Sequence, residues 1–245
     1  MSRGLPEWAQ RRLDPTQRYG LRVTLFLIGT ILVLVPFSFL LIQVLNDGPM
    51  TALDTEIAEE VHEEVGDSDS LVLLSKIVSF LGVPAWFFVM IGGAVLWLWR
   101  RGDRRLAIYL TVTNLLGGVI DTAVKVAVDR PRPEFDQPIA HAMGKSFPSG
   151  HTMATTVGYG SLLLVFMPFI PSRWRPWAIG GYLVWVACMA ASRMGLGVHF
   201  LSDTVGGFIL GLAWLSVSTA AFSIWRSEQR KKPVEIMEGV EPEVA

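Results

Sequence analysis

The chain alternates between long apolar blocks and short charged connections, and the blocks define its architecture. Val23 to Leu45 and Ile77 to Trp99 contain no charged residue. Further blocks run from Leu106 towards Lys125, from Thr152 to Ile170, from Trp177 to Ser192 and from Thr204 to Trp225. About 20 residues of helix cross the hydrocarbon layer of a bilayer. Backbone groups in lipid must pair internally, so helices are the spanning form for blocks of this length. The pattern predicts an all-α, polytopic integral membrane protein. Six transmembrane helices form one membrane domain over 23–225, flanked by a polar segment 1–22 and a tail 226–245. Gly82 and Pro84 interrupt the second block near one end, which predicts a kink or a delayed helix start. Gly92-Gly93 and Gly117-Gly118 supply small faces for close helix contact.

Composition agrees with this reading: 51% of residues are hydrophobic and 18% charged, against roughly 25% charged in soluble domains. The formal net charge of -1 argues against a general nucleic-acid binder. A single cysteine, Cys188, excludes an intrachain disulfide and is expected to serve packing in the fifth block. The first 22 residues carry arginines but no separate short apolar region with a cleavage site, so the first block is expected to be a retained helix.

Charge distribution sets the orientation. Arg3, Arg11, Arg12, Arg18 and Arg22 precede the first block. Arg100, Arg101, Arg104 and Arg105 separate the second from the third, and Arg173 and Arg175 the fourth from the fifth. Arg226, Arg230, Lys231 and Lys232 follow the sixth. These are 15 of the 21 basic residues, and the positive-inside rule makes their side, with both termini, cytoplasmic. Trp97, Trp99, Trp174, Trp177 and Trp225 gather near the same boundary, as interfacial anchoring predicts. The remaining cations, Lys76, Lys125, Arg130, Arg132, Lys145 and Arg193, fall on or near the outer side against the usual bias. The first outer loop, residues 46–70, holds nine acidic residues and no Lys or Arg. Asp54 to Gly66 can form a short surface helix there, with His62 at the surface.

Three polar stretches converge on the outer face. The third block ends with Asp121 and Lys125, four apart and so on one helix face, then runs through Asp129-Arg130-Pro131-Arg132-Pro133, whose prolines end the helix. Asp129 is placed to hold Arg130. His141 and Lys145 lie in the loop that follows. The fourth block opens with Phe147-Pro148-Ser149-Gly150-His151, a turn at a helix start whose amides can form an anion nest. An ordinary helix cap with an incidental histidine explains the same residues. The fifth block ends in Ser192-Arg193, followed by His199 and Asp203, where a carboxylate one helical turn away can fix the imidazole tautomer.

Cations and an amide nest fit a tetrahedral oxyanion, since Arg offers bidentate contacts and Lys a compact charge. A histidine with an Asp partner can act as nucleophile, and one without can act as general acid. The residues form no compact Asp/Glu/His cluster that demands a metal. The pattern therefore predicts phosphate-ester or diphosphate hydrolysis through a phosphohistidine, without a cofactor. His199 attacks phosphorus, Asp203 orients it, and His151 protonates the leaving oxygen. Lys125, Arg132, Ser149, Gly150 and Arg193 bind the phosphate oxygens.

The chain resembles the type 2 phosphatidic acid phosphatase superfamily, whose signature is K-x6-R-P, P-S-G-H and S-R-x5-H-x3-D. Here these are Lys125 through Arg132-Pro133, Pro148-Ser149-Gly150-His151, and Ser192-Arg193 through His199 to Asp203. The resemblance covers the third to sixth blocks closely and the first two only by architecture. It implies the family's core helical bundle. It also implies phosphate binding by Lys125, Arg132, Ser149, Gly150 and Arg193, acid chemistry at His151, and a nucleophile–orienter pair at His199 and Asp203. Bacterial relatives act on undecaprenyl diphosphate, phosphatidylglycerophosphate or phosphatidic acid. The first is the expected substrate, met in the plasma membrane at an outward-facing site. Related vanadium haloperoxidases use a similar cradle but are soluble, which the apolar blocks oppose. A non-catalytic lipid-phosphate transporter is the alternative of another class; it accounts for the helices but not for the matched polar motifs.

Overall fold

A computed structural model describes residues 21–230. Of the expected segment 1–22 only 21–22, and of the tail 226–245 only 226–230, fall within the described residues. Among these, eight α-helices account for the apolar pattern: α1 (Leu21–Leu45), α2 (Pro49–Gly66), α3 (Asp69–Phe80), α4 (Pro84–Arg100), α5 (Arg104–Val128), α6 (Gly150–Phe166), α7 (Arg175–Gly195) and α8 (Leu201–Arg230). Two single 3-10 turns, Met167–Phe169 and Ser172–Trp174, link α6 to α7.

Three of these segments are each long and apolar enough to cross a membrane: Arg104–Val128, Gly150–Phe169 and Leu201–Phe222. The number rises to five if each of two bent pairs, α1 with α2 and α3 with α4, makes one span. The architecture is thus an all-α membrane bundle with three clear and up to five crossings. The bend between α3 and α4 is 47° and falls at Leu81–Val83. There the expected interruption at Gly82 and Pro84 appears as a kink. Pro84 occupies the first turn of α4, where its missing N–H costs nothing. The helix before the kink starts at Asp69, eight residues earlier than the apolar block.

Two apolar clusters hold the bundle. Phe37, Leu40, Val44, Phe147, Met153, Val157 and Leu210 join α1, α6 and α8 just beneath the polar end. Ile91, Leu98, Ala107, Tyr109, Leu110 and Val165 join α4, α5 and α6 near the other end. The perimeter is apolar too: Phe88 and Val126 are 83% and 72% exposed, as expected of a surface that meets lipid tails instead of water. At the Arg-rich end Arg101 lies over the Trp97 ring and Arg104 over that of Trp99, with centroid distances of 4.5 and 5.5 Å.

Two sequence expectations are corrected. Cys188 is exposed on the perimeter of α7 and takes no part in core packing. His62 is buried, because α2 presents Asp54, Ala58 and His62, spaced by four, to the bundle and its other acids to solvent. The His62 ring stacks on Phe135 at 3.9 Å between centroids.

Helices α6 and α8 cross at Gly207. A Cβ there would meet the Ser149 carbonyl oxygen at 2.6 Å and the Met153 nitrogen at 3.2 Å, both backbone atoms that cannot swing aside. Gly207→Ala is expected to force these helices apart at a cost of about 1–3 kcal/mol, in the range of overpacked cores. The thermal midpoint in detergent should fall by several degrees, and an unchanged midpoint would contradict the close crossing.

Candidate active site

The polar ends of α5, α6, α7 and α8 meet at one end of the bundle, and each is shaped by its local sequence. Helix α5 stops at Asp129, whose φ of 55° is left-handed and turns the chain away into Arg130-Pro131-Arg132-Pro133. Lys125, in its last turn, bonds Asp121 Oδ1 at 3.1 Å and donates to the Pro148 carbonyl. Ser149 is the N-cap residue of α6. Its amide donates to the Asp203 carbonyl at 2.8 Å, tying the start of α6 to the start of α8. That amide is therefore engaged, and the Ser149 hydroxyl accepts from Thr152 at 3.2 Å while keeping its own proton to donate. Gly150 brings the backbone against the Lys125–Asp121 pair, since a Cβ would lie 3.0 Å from Asp121 Oδ2 and 3.5 Å from Lys125 Nζ.

Helix α7 ends at Gly195, and the chain turns through Gly197 at φ 71°, a conformation that favours glycine. A side chain there would also strike His62 Nδ1 at 2.7 Å. The turn leaves Arg193, 6% exposed, behind it and delivers His199 just ahead of α8. Arg193 donates to Ser79 Oγ on α3, and its Nε has no protein partner among the described residues. His151 lies on the first turn of α6, its ring beside Gly82 at the α3–α4 kink. It is within electrostatic reach of Arg193, His199, Arg132 and Lys125. The structure thus gathers Lys125, Arg132, Ser149, Gly150, His151, Arg193, His199 and Asp203 at one end.

The hydrogen bonds determine the His199 tautomer. Arg132 Nη1 lies 3.1 Å from His199 Nε2. A guanidinium only donates, so Nε2 is an acceptor and the neutral ring carries its proton on Nδ1. Nδ1 faces Asp203 Oδ2 and Ser146 Oγ, both at 3.4 Å. The Nε2 lone pair therefore points at the cationic side of the site. Burial pushes the His199 pKa down to about 4; Asp203 opposes this, and Arg132 and Arg193 add to it. Burial likewise lowers the Arg132 pKa, partly offset by Asp203. Arg132 is also spent on the chain, donating to the carbonyls of Val198, Gly144, Met143 and Lys145 at 2.6–3.2 Å.

Sequence reasoning missed several groups here. Arg130 bonds Asp203 Oδ1 at 2.7 Å and Asp54 Oδ2 at 2.8 Å, while Asp129 pairs with Lys145 at 2.5 Å instead of with Arg130. Ser146 donates to Asp203 Oδ2, and Ser202 and Asp54 complete the network. Nothing marked Asp54 among nine acids of one loop except its spacing from Ala58 and His62. His141 is exposed and makes none of the site contacts described. Among the described residues no group of three or more His, Cys, Asp or Glu is placed to hold a metal ion.

At one end of a membrane helical bundle, then, an imidazole faces a buried carboxylate on one side and cationic side chains on the other. Residues 106–227 match the PAP2 superfamily. The chain is 32% identical over 142 residues to phosphatidylglycerophosphatase B of Bacillus subtilis (strain 168), covering 55% of this chain and 67% of that protein. It is 27% identical over 200 residues to lipid A 1-phosphatase of Rhizobium etli, covering 73% and 77%. It is also 26% identical over 153 residues to undecaprenyl-diphosphatase of Sulfolobus acidocaldarius, covering 60% and 70%. Its fold is similar to the crystal structure of a transmembrane PAP2 type phosphatidylglycerolphosphate phosphatase from Bacillus subtilis, with a TM-score of 0.67 and 22% identity. That similarity covers 84% of this chain and 98% of the other. The chain belongs to the PAP2 superfamily and is a membrane protein related to bacterial lipid phosphatases.

The His199 environment predicts a pH dependence of stability. Its folded pKa, about 4, lies below the ordinary 6.5, so between these values the unfolded chain binds more protons. The contribution of this group is complete above pH 6.5 and is lost as pH falls towards 4. The thermal midpoint in detergent should decline over that window, and His199→Gln should decline less steeply; equal slopes would contradict the assignment.

Proposed function

We propose that this protein hydrolyses a phosphate or diphosphate group on a membrane lipid through a phosphohistidine at His199, without a metal. The observation that carries the reading is the orientation of His199. Its Nδ1–H faces Asp203 and its Nε2 lone pair faces Arg132. In the first step Nε2 attacks phosphorus in line, the P–O bond to the leaving group breaks, and His151 gives its proton to the departing oxygen. The imidazole becomes positively charged as the P–N bond forms, and Asp203 stabilises that charge. In the second step His151 takes a proton from water, the water oxygen attacks phosphorus, and the P–N bond breaks to release phosphate and restore neutral His199.

Lys125, Arg132 and Arg193 hold the nonbridging oxygens, with Ser149 and Gly150 adding the hydroxyl and the close backbone; such preset donors matter most where charge develops. The Arg132 N–H now on Nε2 is the one aimed at a nonbridging oxygen when phosphorus takes that place. His199 and Asp203 act as the catalytic pair and His151 as acid, then base.

The positive-inside rule places the Arg- and Trp-rich helix ends in the cytoplasm and the site at the outer face of the plasma membrane. The bilayer holds the lipid tail while the head group enters from water. Taking α7 as a sixth crossing beside the five segments long and apolar enough to span brings both termini to the inside. Undecaprenyl diphosphate is the first substrate reading. Phosphatidylglycerophosphate is the second, favoured by the 32% identity to phosphatidylglycerophosphatase B.

Purified protein should release inorganic phosphate from one of these lipids with full activity in EDTA. Metal-reversible inhibition by EDTA would sink the metal-free mechanism. Labelled phosphate should be trapped on His199 in rapid quench, and His199→Ala should lose at least about 10³-fold in turnover, as removal of a nucleophile does elsewhere. A phosphoenzyme that survives His199→Ala would overturn the assignment. Transfer of lipid phosphate across vesicles without phosphate release would favour a transporter.

A further inference from the structure

Asp203 is fully buried, yet its partner His199 is neutral and stands 3.4 Å away. A buried carboxylate needs a full opposing charge and filled acceptor sites. That charge comes from Arg130, which lies between the signature residues Lys125 and Arg132 but is itself outside the signature. Its Nη1 bonds Asp203 Oδ1 at 2.7 Å. On the other oxygen, Ser146 Oγ and the Phe200 amide, the latter at 2.9 Å, donate to Oδ2. Contacts on both oxygens fix the carboxylate plane, so that Oδ2 faces the histidine.

Arg130 is itself held on three sides. Its Nη2 bonds Asp54 Oδ2 at 2.8 Å, its Nη1 also reaches Ser202 Oγ at 2.7 Å, and its guanidinium lies 4.3 Å from the Phe200 ring centroid. Asp54 is anchored in turn by the Ser202 amide at 2.8 Å and by the Ser202 hydroxyl. The ring closes on the first turn of α8, where Asp203 also sits. Asp54 belongs to α2, outside residues 106–227 matched by the family.

We propose that Arg130, held by Asp54 of the outer helix α2, is the positioning residue that aims Asp203 at His199 Nδ1 and so, together with the Arg132 donor on Nε2, sets the His199 tautomer. The proposal rests on the phosphohistidine reading for its kinetic consequence but not for its structural one. Arg130 touches neither the reacting nitrogen nor, in that mechanism, the phosphate; it acts through Asp203. The acidic outer helix thus contributes one residue to the catalytic assembly, and its remaining exposed acids do not.

The test uses full-length protein in detergent, with Arg130→Gln, Arg130→Lys, Asp54→Asn and Asp203→Asn variants checked for monodispersity and thermal midpoint. Ring ¹⁵N shifts of His199, assigned by their loss in His199→Gln, report which nitrogen bears the proton. Wild type should show the Nδ1–H tautomer, Arg130→Lys should largely keep it, and Arg130→Gln should show a mixture. A folded Arg130→Gln with an unchanged tautomer overturns the proposal, whatever the protein hydrolyses.

Kinetically, kcat should fall about 10- to 100-fold in Arg130→Gln, as for other partners that orient a functional histidine, with KM changed less than about twofold. Asp54→Asn should show the same split with a smaller loss, and Arg130→Lys should restore part of kcat. Adding Arg130→Gln to Asp203→Asn should cost nothing further, because the two act as one unit. Multiplicative losses, or a loss carried by KM, overturn the proposal. A wild type that releases phosphate without labelling His199 overturns the preceding reading, and the tautomer result then decides this one alone.

Discussion

The structure depends on one buried carboxylate. Asp203 accepts from Arg130, Ser146 and the Phe200 amide and faces His199, while its own carbonyl receives the Ser149 amide. These partners come from the chain after α5, the start of α6 and the turn after α7. If that charge were unpaired in a low-dielectric bundle, the penalty would be several kcal/mol. Folding is therefore favoured by bringing these segments together, and bringing them together assembles the site. Stability and chemistry share the same contacts.

Much of this was legible in the sequence because the signal was periodic or local. Apolar blocks gave α5, α6 and α8 to within two to five residues at each end, and the pair Asp121–Lys125 was implied by its spacing of four. His199 and Asp203 were legible for the same reason, since a one-turn separation survives whatever the rest of the chain does. What escaped was long-range pairing of like residues. Arg130 had an acid next to it in Asp129, and local reasoning favoured that neighbour. The left-handed turn at Asp129 sends the two side chains to different partners, Lys145 and the distant Asp54. A helical period of four in an acidic segment was the only trace of α2's inward face, and high charge concealed it.

Membrane burial explains the other departure. The span expected from Ile77 to Trp99 is two helices joined at a 47° break, because composition reports how apolar a block is but not whether it is straight. The break is used: the Tyr159 hydroxyl donates to the Leu81 carbonyl at 3.2 Å, satisfying a group the helix end releases. Gly82 leaves room for His151 at the same place, and Ser79, one turn earlier, meets Arg193. A kink that looked like a concession to two helix-breaking residues thus forms one wall of the site.

Arg132 has a consequence of a different kind. Its donors are committed to four backbone carbonyls and one imidazole nitrogen, and a guanidinium has five N–H groups in all. No donor is in surplus, so an anion gains this arginine only by outcompeting an existing acceptor. All five acceptors are neutral, His199 among them at 3.1 Å, and a hydrogen bond charged on both sides is shorter and stronger than one to a neutral acceptor. An anionic oxygen, with localised charge and lone pairs aimed at the N–H, is the kind of acceptor that competes for the donor on His199. Selectivity among anions then follows from valence already spent, and the same exchange frees the His199 Nε2 lone pair.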